Sequence, residues 1–167
     1  MRKLMLILLL TLPLVAQDHE NCPMHAKHVA EAGDRVMGFS HDKTTHNFRL
    51  LEDGGAIEAR SLDANDAESV AAIRTHLKSI AKEFTAGDFA KPVEIHGRMP
   101  DGAETMKELG DSIEYRYEEI PNGARVRITA KPGRARDAVQ AFLRFQIGEH
   151  HTGDPVSSSP AEAPDHR

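Results

Sequence analysis

The sequence has a single cysteine, no tryptophan, two tyrosines and six phenylalanines among its 167 residues. One cysteine excludes an internal disulfide framework and a four-cysteine zinc site. Positive charge is also short: 21 Lys and Arg stand against 26 Asp and Glu, a net charge of −5. A nucleic-acid binder needs a basic face to offset phosphate charge, so that class is set aside. Absent as well are a glycine-rich phosphate loop, a dinucleotide fingerprint, an H-E-x-x-H pair and a G-x-S-x-G elbow. Ser40-His41-Asp42 supplies no catalytic triad, because consecutive side chains point apart and triads are assembled from distant positions. Glu118 and Glu119 on one strand would face opposite sides and form no acid/base pair. The length suits one domain. What the chain does have is ten histidines, and these point to metal.

The one long apolar run, residues 4–15, is broken only by Thr11 and Pro13 and follows Arg2 and Lys3. About 12 residues at 1.5 Å each cannot span a ~30 Å hydrocarbon core. A charged start, a short apolar segment and Ala16 as a small cleavage-site residue read as a signal peptide over residues 1–16. Glu20 and Asn21 ahead of Cys22 do not suit a lipid anchor. The expectation is an exported bacterial protein, periplasmic or secreted, with no membrane attachment after cleavage.

Residues 17–34 form an arm rich in metal ligands. His19, Cys22, Met24, His25 and His28 fall within ten positions. Thiolate and thioether are soft donors and imidazole is borderline, a mixture that suits copper(I) first and zinc second. Pro23 fits the first position of a helix over about 23–32, and Gly33 fits its stop. Such a helix sets Met24 and His28 one turn apart and holds Cys22 at its N-terminus, where the thiolate is favoured. Cleavage after Ala16 would also expose Gln17-Asp18-His19, whose amine, amides and imidazole make a square-planar copper(II) or nickel(II) set. A mature mass showing pyroglutamate, or a start at Asp18, excludes that set.

Cys22-Pro23-Met24-His25 resembles the C-P-M-H heavy-metal-binding segment of some bacterial copper and heavy-metal efflux proteins. The resemblance covers four residues and implies Cys22, Met24 and His25 as ligands. This chain has Ala26 where those proteins usually continue with proline, and it lacks their upstream aromatic residue.

The body, residues 35–154, reads as two similar halves, about 35–88 and 111–154. Strands are expected over 35–39 and 44–51, a hairpin at Asp53-Gly54-Gly55, and a returning strand over 56–62. After an N-cap within 63–66, Val70, Ile73, Leu77, Ile80, Ala81 and Phe84 repeat at three and four, the mark of a helix with one buried face. A loop with Pro92 and Pro100 contains a short extended stretch over 93–96, and a short helix is expected over about 103–109. The second half restarts with alternation from Ile113, a turn at Pro121-Asn122-Gly123, a return through Val126 and Ile128, and a helix over about 133–149. A shift of 66 positions lays Ile73 on Val139 and Leu77 on Leu143. A hairpin-helix unit used twice predicts an α+β fold, an antiparallel sheet with both long helices on one face. Ser, Pro, Ala and charge dominate residues 155–167, read as a disordered tail.

The same shift places His76 on Phe142 and Phe84 on His150. If the helices pack antiparallel about a pseudo-twofold axis, His76 approaches His150 to within about 8 Å, the reach of two ligands on one ion. His46 alternates with Phe48 and Leu50 and should face the same layer. His46, His76 and His150 then form a possible second site for zinc or copper, with Met37, His41, His96 and His151 nearby. The body, from Val36-Met37-Gly38-Phe39 and Thr44-Thr45-His46-Asn47-Phe48 through Phe142-Leu143-Arg144-Phe145, also resembles a family of uncharacterised secreted bacterial proteins. That family brings no established activity. Some of its members carry the name aspartate carbamoyltransferase, but the Ser-Thr-Arg-Thr phosphate motif and zinc cysteines of that enzyme are missing here. The expected function is a periplasmic copper (or zinc) buffer or carrier. The alternatives are a small metal-dependent enzyme on His46, His76 and His150, or a module that binds an envelope protein partner.

Overall fold

A computed structural model describes residues 23–162. The signal segment, His19, Cys22 and residues 163–167 lie outside the described residues. Five helices and four strands follow in the order α1 (Pro23–Met37), β1 (Thr44–Leu51), β2 (Gly54–Ser61), α2 (Ala67–Thr85), α3 (Ala90–His96), α4 (Ala103–Glu108), β3 (Ile113–Ile120), β4 (Gly123–Ala130) and α5 (Arg134–Glu149). The strands form one antiparallel sheet in the order β1-β2-β4-β3. Two hairpins thus meet through their second strands, the arrangement that a repeated hairpin-helix unit dictates.

Alternation along each strand sends Phe48, Leu50, Ile57, Ala59, Tyr115, Val126 and Ile128 to one face, where they join a single core. Helix α2 covers β3 and β4, and α5 covers β1 and β2, both on that face. Ile73, Leu77 and Phe84 of α2 and Val139, Phe142 and Leu143 of α5 are the buried stripes. Each contributes about 1.5–3 kcal/mol when fully buried. Asp66 caps α2, its carboxylate accepting from the Ser69 N–H at 3.0 Å and the Ser69 hydroxyl at 2.8 Å. Gly55 lets α5 approach the sheet, since a Cβ there would overlap the Leu143 side chain and the Arg49 carbonyl. The opposite face of the sheet carries Arg49, Glu58, Arg60, Arg125 and Arg127.

Three local expectations differ from what forms. Helix α1 does not stop at Gly33 but runs to Met37, absorbing residues read as a strand. Val29, Ala32 and Met37 make its buried stripe, and packing on α3 and α2 outweighs the local cost of a helical glycine. The stop is Gly38, in the left-handed region at φ +78°. Residues 93–96 are helical rather than extended, because Pro92 is tolerated in the first turn of α3 while Ile95 and His96 are buried by it. Residues 155–162, expected to be disordered, lie along the edge of β1. Ser159 takes an N–H from Glu52 at 2.9 Å and gives its own to Leu50 at 3.0 Å. Beyond it the Glu162 carboxylate meets Arg49 at 2.5 Å and Arg125 at 2.9 Å. Edge-strand backbone groups left open by composition are thereby satisfied.

Candidate functional site

The C-terminal ends of α3 and α5, the middle of α2, the first half of β1 and the face of α1 converge at one end of the core. His46 points from β1 to the helical side, as its alternation with Phe48 requires, and the two rings stack at 5.5 Å. His150 is the C-cap of α5 and His96 closes α3. Ring centroids of His150 and His46 lie 5.7 Å apart, and those of His150 and His96 5.0 Å apart. His76, on α2, lies edge-on to Phe39 at 5.7 Å, and Phe39 in turn is 5.9 Å from His46. His76 and His150 line the same inner cavity of about 50 Å³, together with His46, His96, Gln146 and Met37. The imidazoles against His150 are nevertheless those of His46 and His96. His96, placed among nearby candidates by the sequence, is the more central residue.

A larger cavity of about 260 Å³ lies on the other side of Met37, His46 and His150, between them and α1, and reaches His41, Glu149 and His151. His46 and His150 are half-buried, and His76 and His96 are buried. Burial lowers all four below the usual imidazole value: His46 to about 4, His76 to about 3, His150 and His96 in the same direction. Asp154, which accepts from the Phe48 N–H at 2.8 Å, pulls His46 partly back. At neutral pH all four imidazoles are therefore uncharged, the form in which imidazole ligates a metal.

The arm residues are divided between this site and solvent. His25 turns inward, its Nε2 2.7 Å from Glu149 Oε2. Met24 is 75 % exposed, and His28 is exposed too. His41 pairs with Asp34 at 3.0 Å on the surface. Among the described residues no group of three or more His, Cys, Asp or Glu side chains is already arranged to hold a metal ion. The expected set of His46, His76 and His150 is thus not a preformed metal site.

No family model, curated protein or solved structure matches this chain. The chemistry of the protein rests on its own residues.

Two of those residues escaped the sequence reading. Glu149 closes α5, and its side chain is only 3 % exposed. His25, His96 and Arg98 converge on it, with Arg98 Nη2 3.1 Å from Oε1 and His96 Nδ1 3.4 Å from Oε2. Burial alone would raise the Glu149 carboxyl, but the hydrogen bonds from His25 and Arg98 hold it below its usual value. Gln146, one turn earlier on α5, is also buried, and its amide oxygen lies 3.0 Å from His96 Nε2. No local pattern marks either residue, because their partners come from α1, α3 and the loop after it. Among the described residues no helix is long and apolar enough to cross a membrane.

Proposed function

We propose that the protein binds a transition metal, copper or zinc, and serves as a buffer or carrier for it in the bacterial envelope. The observation that carries this reading is the set of uncharged imidazoles packed around His150. Two imidazoles on one ion, each with its nitrogen ~2.0–2.1 Å from the metal, place their ring centroids about 5–6 Å apart. His46 and His96 stand at 5.7 and 5.0 Å from His150, inside that range. Met37 borders the same two cavities and offers a thioether for a softer ion. Because no closed site stands ready, an ion enters by small side-chain rotations, which suits exchange better than permanent storage.

The test is elemental analysis of the full chain exported to a bacterial periplasm in copper- and zinc-supplemented medium without chelator. About one ion per chain is expected, reduced by His96→Ala and retained by Cys22→Ser. A chain that carries no metal and ignores added copper and zinc overturns the reading.

A further inference from the structure

His96 Nδ1 is a buried nitrogen with no hydrogen-bond partner. The His96 side chain is wholly inaccessible, at 0 % exposure. Its other nitrogen, Nε2, donates to the Gln146 amide oxygen at 3.0 Å, which places the proton there and leaves a lone pair on Nδ1. Nδ1 lies 3.4 Å from Glu149 Oε2. Two acceptors this close in a dry interior are unfavourable unless a cation lies between them. The separation matches one: two ligands at ~2.0–2.1 Å on a tetrahedral ion stand about 3.3 Å apart.

The surroundings of both groups are those of metal ligands. A ligating histidine gives its remaining N–H to an oxygen that fixes its tautomer, and Gln146 does this for His96. A ligating carboxylate is held by hydrogen bonds at its other oxygen, and Arg98 Nη2 does this for Glu149 at 3.1 Å from Oε1. A third donor approaches the same carboxylate oxygen. His25 Nε2 reaches the same Oε2 at 2.7 Å, from a side chain 28 % exposed.

We infer that His25, His96 and Glu149 close around a divalent ion of the zinc class, two imidazoles and one carboxylate with a fourth position left open toward the larger cavity. This rests on the metal-binding reading above and gives it a different centre: the histidine of the C-P-M-H segment joins the body rather than Cys22 and Met24. Ligation through Nε2 moves the His25 proton to Nδ1. The His25–Oε2 separation then widens from a hydrogen bond to the edge of a tetrahedron, a movement of about half an ångström. The ion thereby ties α1 to α3 and α5.

Cobalt(II) titration of the full chain, under reducing conditions, tests this directly. One ion per chain is expected, with d–d absorption of a tetrahedral site and no thiolate-to-cobalt charge-transfer band. His25→Ala and Glu149→Gln should each weaken cobalt and zinc binding at least about tenfold, and Cys22→Ser should leave it unchanged. His25 lies near the end of α1 and Glu149→Gln preserves shape, so circular dichroism should show both variants folded. Unchanged binding in both, with loss in His46→Ala/His150→Ala, overturns the inference and leaves the metal-binding reading standing. A charge-transfer band abolished by Cys22→Ser moves the ion to the arm and overturns the inference. No binding of cobalt, zinc or copper overturns both.

Discussion

His25 Nε2 and Glu149 Oε2 meet at 2.7 Å across 124 positions of sequence, joining the first helix of the described chain to the last. The carboxylate is buried while the imidazole is only partly so. Glu149 also takes Arg98 from the loop after α3, so α1 and that loop are both held on one side chain of α5. The N-terminal helix is thus part of the body and not a free arm.

Glu149→Ala should destabilise the fold by about 1–3 kcal/mol, since it removes the common acceptor of a partly desolvated cluster. His25 and Arg98 can turn to water, which keeps the loss below that of a fully buried charge left alone. Urea unfolding at pH 7 reads the difference. A midpoint equal to wild type would show that α1 docks without this cluster.

Stability should fall as pH drops below about 6.5. His46 and His76 bind protons near pH 6.5 when unfolded but only near pH 4 and 3 when folded. Between those values the unfolded state holds more protons, so each acid step favours unfolding. Glu149, held low in the folded state, loses its contribution only below its ordinary value of 4.5, and in the same direction. Denaturation midpoints at pH 7.5, 6, 5 and 4 should decline steadily, and His76→Leu should flatten the slope. A constant midpoint over that range would contradict the buried, neutral imidazoles.

Gly55→Ala should destabilise by more than an ordinary surface substitution, by about 2 kcal/mol or more. The added methyl meets both the Leu143 side chain and the Arg49 backbone, so neither the helix nor the strand can absorb it alone. Thermal unfolding checks the size of the effect. Leu77→Ala, in the same core, serves as a scale at about 2–5 kcal/mol.

Removal of residues 156–167 should leave folding almost unchanged but expose the edge of β1. The ion pairs from Glu162 to Arg49 and Arg125 are partly solvated and contribute about 0–1 kcal/mol. Unpaired backbone groups on an edge strand instead invite association. Sedimentation velocity should show concentration-dependent dimers or larger species for the truncated chain and none beyond the wild-type level for Glu162→Gln. Identical profiles for all three would show that the segment protects nothing.

The periods of two and of three and four were legible in the residues, and they were enough for the sheet, its two hairpins and the two long helices. His46 could be placed on the core face because a strand alternates whatever surrounds it. Gly33 misled for the opposite reason. Its helix-stopping tendency, about 1 kcal/mol, is smaller than the packing of Val29, Ala32 and Met37 against the body. Residues 93–96 misled likewise, since seven residues of helix have too little intrinsic preference to declare themselves.

The sequence by itself determined which types of donor the protein has, which elements carry them and which face of each element they occupy, because those follow from backbone geometry. Only the tertiary structure decided which donors meet. His25, His96 and Glu149 lie at the ends of three helices, where a shift of one turn moves a side chain by about 5 Å, as much as the width of the site. That register is set by core packing between elements far apart in the chain, and no local pattern of residues contains it.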